Sequence, residues 1–167
     1  ITATNWTMLP ITFGTTAPAP GGLSASTTLG FGSVYYSYGV TSIDGNGQES
    51  VISAPVVLSA KQDLRTVAGT NTISWTAVAG AVAYNIYKTD VSYAGAVPAG
   101  QTYGFIGTAT AATFIDSNIA ADYSQTPPIA KNPFQGSGVD SVTVTAPGTY
   151  TTVPGISFTG AASTIAA

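Results

Sequence analysis

Apolar and polar residues alternate with a period of two through much of the middle of the chain. Between Thr72 and Thr76, Ile73 and Trp75 alternate with Ser74 and Thr76; after the small-residue corner Gly80-Ala81, the series Tyr84, Ile86 and Lys88 alternates with Asn85 and Tyr87. That period puts one face of a strand on a core. Ser33 to Ile43 repeats it over a longer run, with Val34, Tyr36, Tyr38, Val40 and Ser42 on one face and Tyr35, Ser37, Gly39 and Thr41 on the other. Asp44-Gly-Asn-Gly47 predicts a turn, because Asp-Gly and Asn-Gly pairs tolerate positive φ. Val51 to Ser59 predicts a strand whose Pro55 marks an edge or a bulge. Leu23 to Thr27 reads as an edge strand, and Tyr103 to Asp116 supplies the last strand-like run. About seven short strands in roughly 100 residues predict an all-β fold, a single antiparallel β-sandwich.

The segment Thr72-Ile-Ser-Trp-Thr-Ala-Val-Ala-Gly-Ala-Val-Ala-Tyr-Asn-Ile-Tyr-Lys88 resembles the B and C strands of fibronectin type III domains. The likeness lies in its Trp, its Gly-Ala corner and its Tyr-x-Ile-Tyr ending. Tyr36-Ser-Tyr-Gly-Val-Thr-Ser-Ile-Asp-Gly-Asn-Gly-Gln-Glu-Ser50 resembles the F strand, its turn and the start of the G strand in the same family, and Tyr103 to Asp116 is E-like. In that family F and G follow B, C and E, whereas here the F/G-like hairpin comes first. The resemblance therefore implies either two truncated domains or one immunoglobulin/fibronectin type III-like sandwich with permuted strand order, and about seven strands in roughly 100 residues favour the single sandwich. Neither half has enough apolar surface to stand alone, so both hairpins are expected in one core. Trp75 is expected between the sheets, with Ile73, Tyr84, Ile86, Tyr36, Tyr38 and Val40 around it.

Punctuation divides the rest of the chain. Residues 1–17 carry Trp6, Met8, Leu9, Ile11 and Phe13, interrupted by Pro10, and predict an arm packed on a neighbouring domain. Ala17-Pro-Ala-Pro-Gly-Gly22 is linker-like and opens the sandwich, expected over 18–120. Residues 121–135 predict a stiff, proline-rich linker, and the Gly/Thr-rich residues 136–167 a small C-terminal β-hairpin segment. A lone hairpin is marginal, so this one needs a neighbour. The chain opens on Ile1 and stops in a run of small residues, which predicts a piece of a longer polypeptide. Asp116 to Phe134, with Asp122-Tyr-Ser-Gln-Thr-Pro-Pro-Ile-Ala-Lys-Asn-Pro-Phe134 at its heart, is similar to structural proteins of tailed bacteriophages, in particular tail tubular or nozzle proteins. That resemblance implies a virion localisation and, as partners, other copies of the chain and neighbouring virion proteins.

Composition removes whole classes of function. Hydrophobic residues are 44% of 167, enough for one good core, so disorder is not expected. Charged residues are only 7%, which leaves a surface solvated by hydroxyls and backbone. The net charge is −3 and the only cations are Lys61, Arg65, Lys88 and Lys131, so there is no basic stripe for nucleic acid. No run approaches the ~18 apolar residues of a membrane span. Without His or Cys the chain offers no imidazole base, thiol nucleophile, disulfide or ordinary zinc site. Its seven acids sit singly in turns or at strand ends, which speaks against paired-carboxylate hydrolysis. No enzyme activity, cofactor or metal is expected. Asp44-Gly-Asn-Gly-Gln-Glu49 echoes a calcium loop, but Val51 and Ile52 stand where further oxygen ligands belong, so a plain hairpin turn is expected. Asp116-Ser-Asn118 and Asp122 are likewise expected to cap their own backbone.

Aromatic side chains leave one further possibility. Tyr36 and Tyr38 share the core phase, whereas Tyr35 points the other way, and Tyr93 and Tyr103 flank the loop from Ala94 to Thr102. Tyr35, Tyr93 and Tyr103 are the candidate contact surface, for a subunit interface or for stacking on sugar rings. A virion structural module is the first expectation. A host-surface carbohydrate-binding module, or a spacer in a secreted carbohydrate-active enzyme, is the alternative.

Overall fold

A computed structural model describes residues 17–129. The expected hairpin at 136–167, the second half of the linker and, apart from Ala17, the N-terminal arm with Trp6 lie outside the described residues. Seven strands follow one another without a helix: β1 (Ser24–Thr27), β2 (Phe31–Asp44), β3 (Val56–Lys61), β4 (Asn71–Ser74), β5 (Ala81–Lys88), β6 (Gly104–Ala109) and β7 (Thr113–Asp116). They form a three-stranded sheet in the order β1-β4-β7 and a four-stranded sheet in the order β3-β2-β5-β6, every pairing antiparallel. The protein is a β-sandwich.

β2 organises the larger sheet because it is long enough to pair twice. Its first half faces β3, with Tyr36 opposite Leu58, and its second half faces β5, with Val40 opposite Ile86. Tyr38 serves both neighbours. The alternation read from the sequence sends Val34, Tyr36, Tyr38 and Val40 inward, where they meet Ile73 and Trp75 from the smaller sheet's side and Tyr84, Ile86 and Ile106. Both hairpins thus share one core. Trp75 is 6% exposed and meets Tyr84 edge-on, ring centroids 5.1 Å apart at 64°, the geometry favoured by aromatic quadrupoles.

The outer face of the larger sheet is covered as well along the middle of β2 and β5. Ser37, Thr41 and Tyr87 point away from the core in strand phase yet are buried. Ile52 fills the space beside Gly39 where a side chain would stand, and Tyr103 reaches the same place. This explains a departure from the sequence reading. Val51 to Pro55, read as the start of a strand, lies outside the ladder with Ile52 serving as cover, and β3 begins only at Val56, after Pro55. β3 is an edge strand, where a preceding proline does no harm to the ladder. The run from Tyr103 to Asp116 also divides, its first part pairing in one sheet as β6 and its second in the other as β7.

Register fixes the two poles of the sandwich. β1 and β7 both run against β4, Ser24 and Thr113 lying opposite Ser74 and Thr27 and Asp116 opposite Asn71. The chain enters at the pole of Ser74, where Gly21 O accepts the Thr76 amide and Pro18 O accepts the Ser42 hydroxyl. β7 ends at the opposite pole, beside Asn71. There the following residues fold back on β6, Phe105 and Asp122 exchanging backbone hydrogen bonds of 3.0 and 2.8 Å.

Candidate functional site

The three tyrosines picked from the sequence play three different parts. Tyr35 is half-buried and exchanges both backbone hydrogen bonds with Ser92, at 2.9 and 3.1 Å, which anchors the base of the following loop. Tyr103 is half-buried too, its hydroxyl 2.7 Å from Ser37 Oγ on the covered outer face. Tyr93 is the exposed one, at 56%. Its hydroxyl donates to the Asp63 carboxylate and accepts from the Arg65 guanidinium. Arg65 Cζ lies 5.6 Å from the Tyr93 ring centroid, a cation–π distance. The Arg65 contact, chiefly, holds the Asp63 carboxyl down to about 2. Beside them runs a groove of about 420 Å³ lined by Gly32, Ser33, Lys61, Gln62, Asp63 and Tyr93, among others.

A second polar cluster is buried, and sequence reasoning passed over it. Asp116, wholly buried at the end of β7, accepts Lys88 Nζ at 3.0 Å and the Tyr38 hydroxyl at 2.8 Å on Oδ2. Its Oδ1 accepts the backbone amides of Asn118 at 3.0 Å and Ile119 at 2.8 Å. Asn71 Nδ2 in turn donates to the Tyr38 oxygen at 2.7 Å, while Asn71 Oδ1 is buried without a partner. Lys88 is 8% exposed. The four side chains come from β2, β4, β5 and β7, hence from both sheets. Burial, with the Asp116 charge next, raises the Tyr38 phenol far above its ordinary range, so it remains a donor. The signal in the sequence was the phase of Lys88, which shares the strand face of the core residues Tyr84 and Ile86.

The remaining acids are also engaged by the chain itself. Asp44 Oδ1 accepts the amides of Asn46 and Gln48, both at 2.9 Å, in the turn where Gly47 has φ 77°. Glu49 Oε1 accepts Thr41 Oγ1 at 2.5 Å and the Tyr87 hydroxyl at 2.6 Å. Asp90 accepts the Val91 amide, and Asp122 accepts Ser124 and Gln125. All six acids among the described residues thus accept internal hydrogen bonds. Among those residues no group of three or more acidic, His or Cys side chains is arranged to hold a metal ion, and no helix is long and apolar enough to cross a membrane. No protein-family model matches the chain, and no curated protein matches it in sequence.

Proposed function

We propose that the chain is a structural module of a virion, a component of a bacteriophage tail of the tubular or nozzle kind, acting through permanent contacts with copies of itself and with neighbouring tail proteins. The observation that carries the scaffold reading is that every described carboxylate accepts a hydrogen bond from the chain itself, including the groove-lining Asp63, which Arg65 and Tyr93 hold. The four-stranded order supports the fibronectin type III-like part: the F-like β2 lies between the G-like β3 and the C-like β5, as in that family's sheet, although the chain visits them in another order. The tail assignment rests on the resemblance of residues 116–134. Immunogold labelling of purified particles from the source culture tests it. Label on the tail, with the chain at fixed stoichiometry by mass spectrometry, is the expected result; a chain found only in the particle-free fraction overturns it.

A second reading draws on Tyr93, the one exposed aromatic of the three candidates, beside a groove of mixed polar and apolar lining. It makes this edge a contact for host polysaccharide. Glycan-array binding that disappears in Tyr93→Ala supports it, and a wild-type chain that binds no glycan removes it.

A further inference from the structure

The Lys88–Asp116 pair has the parts of an acyl-transfer site as well as those of an ion pair. A primary amine lies 3.0 Å from one carboxyl oxygen. Two backbone N–H groups hold the other oxygen at 3.0 and 2.8 Å, the arrangement that stabilises a tetrahedral oxyanion. A phenol sits 2.8 Å from the oxygen that would leave, itself fixed by the Asn71 amide at 2.7 Å. Asp116, Tyr38 and Asn71 are each 0% exposed, so bulk water is kept from the site. As a plain ion pair this arrangement is weakly rewarding, since desolvation of both charges offsets their attraction.

We infer that Lys88 and Asp116 condense to an intramolecular amide, a covalent tie between the two sheets. A proton passes from the Lys88 ammonium to Asp116 Oδ2, giving a neutral amine and a neutral acid. The Nζ lone pair attacks Cγ, and the carbonyl electron pair moves onto Oδ1, where the Asn118 and Ile119 amides receive it. Tyr38 gives its proton to Oδ2 and takes one from Nζ; the Cγ–Oδ2 bond breaks, water leaves, and Oδ1 returns as the amide carbonyl. One N–C bond forms, one C–O bond breaks, and one water is released, with no oxidant or co-reactant. Condensation is unfavourable between separate molecules in water, but groups held in contact react with effective molarities of about 10⁵–10⁸ M. Asn71, opposite Asp116 in the ladder, keeps a buried, uncommitted Oδ1 at the site. The inference does not depend on where the module is used.

Intact-mass spectrometry of the folded, then denatured full chain tests it. The expected mass is below the sequence mass by one water, with tryptic cleavage lost at Lys88 and a branched peptide joining Lys88 to Asp116. Lys88→Arg keeps the charge without the nucleophile and restores the full sequence mass. Asp116→Asn reaches the same amide by expelling ammonia, so its deficit against its own sequence is one ammonia. Tyr38→Phe, followed through refolding, forms the link at least tenfold more slowly. A wild-type chain that is folded by circular dichroism yet has its full sequence mass and is cleaved at Lys88 overturns the inference.

Discussion

Replacing Trp75 separates two opposed contributions that the core holds at one side chain. The indole is 6% exposed and packs edge-on against Tyr84, so Trp75→Ala loses its burial and leaves a cavity, a change that costs about 3–5 kcal/mol. Its Nε1, however, is buried without a hydrogen-bond partner, and an unpaired buried donor costs about 1–3 kcal/mol. Deleting the ring returns part of that penalty, which puts Trp75→Ala near the lower end, about 3 kcal/mol. Trp75→Phe keeps an aromatic edge for Tyr84, worth about 0.5–1.5 kcal/mol, and also removes the stranded N–H, so it should cost about 1 kcal/mol. Urea titration followed by far-ultraviolet circular dichroism measures both, and is usable because it does not rely on indole fluorescence. The dependence on urea should keep its slope, so that midpoints report stability alone. Should the two variants fall within about 0.5 kcal/mol of each other, the ring's packing is not what Trp75 contributes and the reasoning fails.

Burial first, and neighbouring carboxylates after it, raise the phenols of Tyr38 and Tyr87 above their ordinary 10.0. The unfolded chain therefore binds fewer protons above that pH, and stability that is complete below pH 10 should fall above it by about 1.4 kcal/mol per pH unit per phenol; Tyr87→Phe should flatten the decline seen in alkaline denaturant titrations, and an unchanged slope would count against it. Gly80 has φ 81° with open space around it, whereas Gly107 has φ 155° and the Phe114 ring 2.8 Å from an ideal Cβ. Gly80→Ala should thus cost about 1 kcal/mol of backbone strain in thermal unfolding and Gly107→Ala more, about 2–4 kcal/mol; equal losses would refute the Phe114 contact. The Asp63 carboxyl should titrate by carbon NMR near 2 and move toward its ordinary 3.8 in Arg65→Gln. Tyr93→Ala, at an exposed position, should change stability by no more than about 0.5 kcal/mol by urea titration.

Periodicity made the inner layer legible because it depends on local phase alone. Tyr36, Tyr38 and Val40 on one strand and Ile73, Trp75, Tyr84 and Ile86 on others all announce which way they face. The outer cover was not legible, since nothing local tells that Ile52 and Tyr103 lie over Ser37 and Gly39 rather than in a strand or in solvent. For the same reason Val51 to Pro55 read as part of β3. The buried cluster was half legible. Lys88 stood in the core phase, and Asp116 was expected to cap its own backbone, as its Oδ1 does. That the other oxygen meets Lys88, 28 residues earlier in the chain, and Tyr38, 78 residues earlier, follows from two sheets ending at one pole. No spacing within a strand encodes that.

The parallel course of β1 and β7 on either side of β4 has a mechanical consequence. With strands about 4.8 Å apart, the incoming and outgoing strands lie about 10 Å from each other and deliver the chain to opposite poles. Tension between residues on either side of the sandwich then pulls β1 and β7 in opposite senses along their own axes. The β1–β4 and β4–β7 ladders are loaded in shear, with their hydrogen bonds stretched together rather than peeled one after another from an end. Lifetime under load is governed by the unfolding rate rather than by equilibrium stability, and this geometry makes the three-stranded sheet the element on which that rate depends. A module threaded in this way transmits force along its length, and the short middle strand, Asn71–Ser74, carries the load of both ladders.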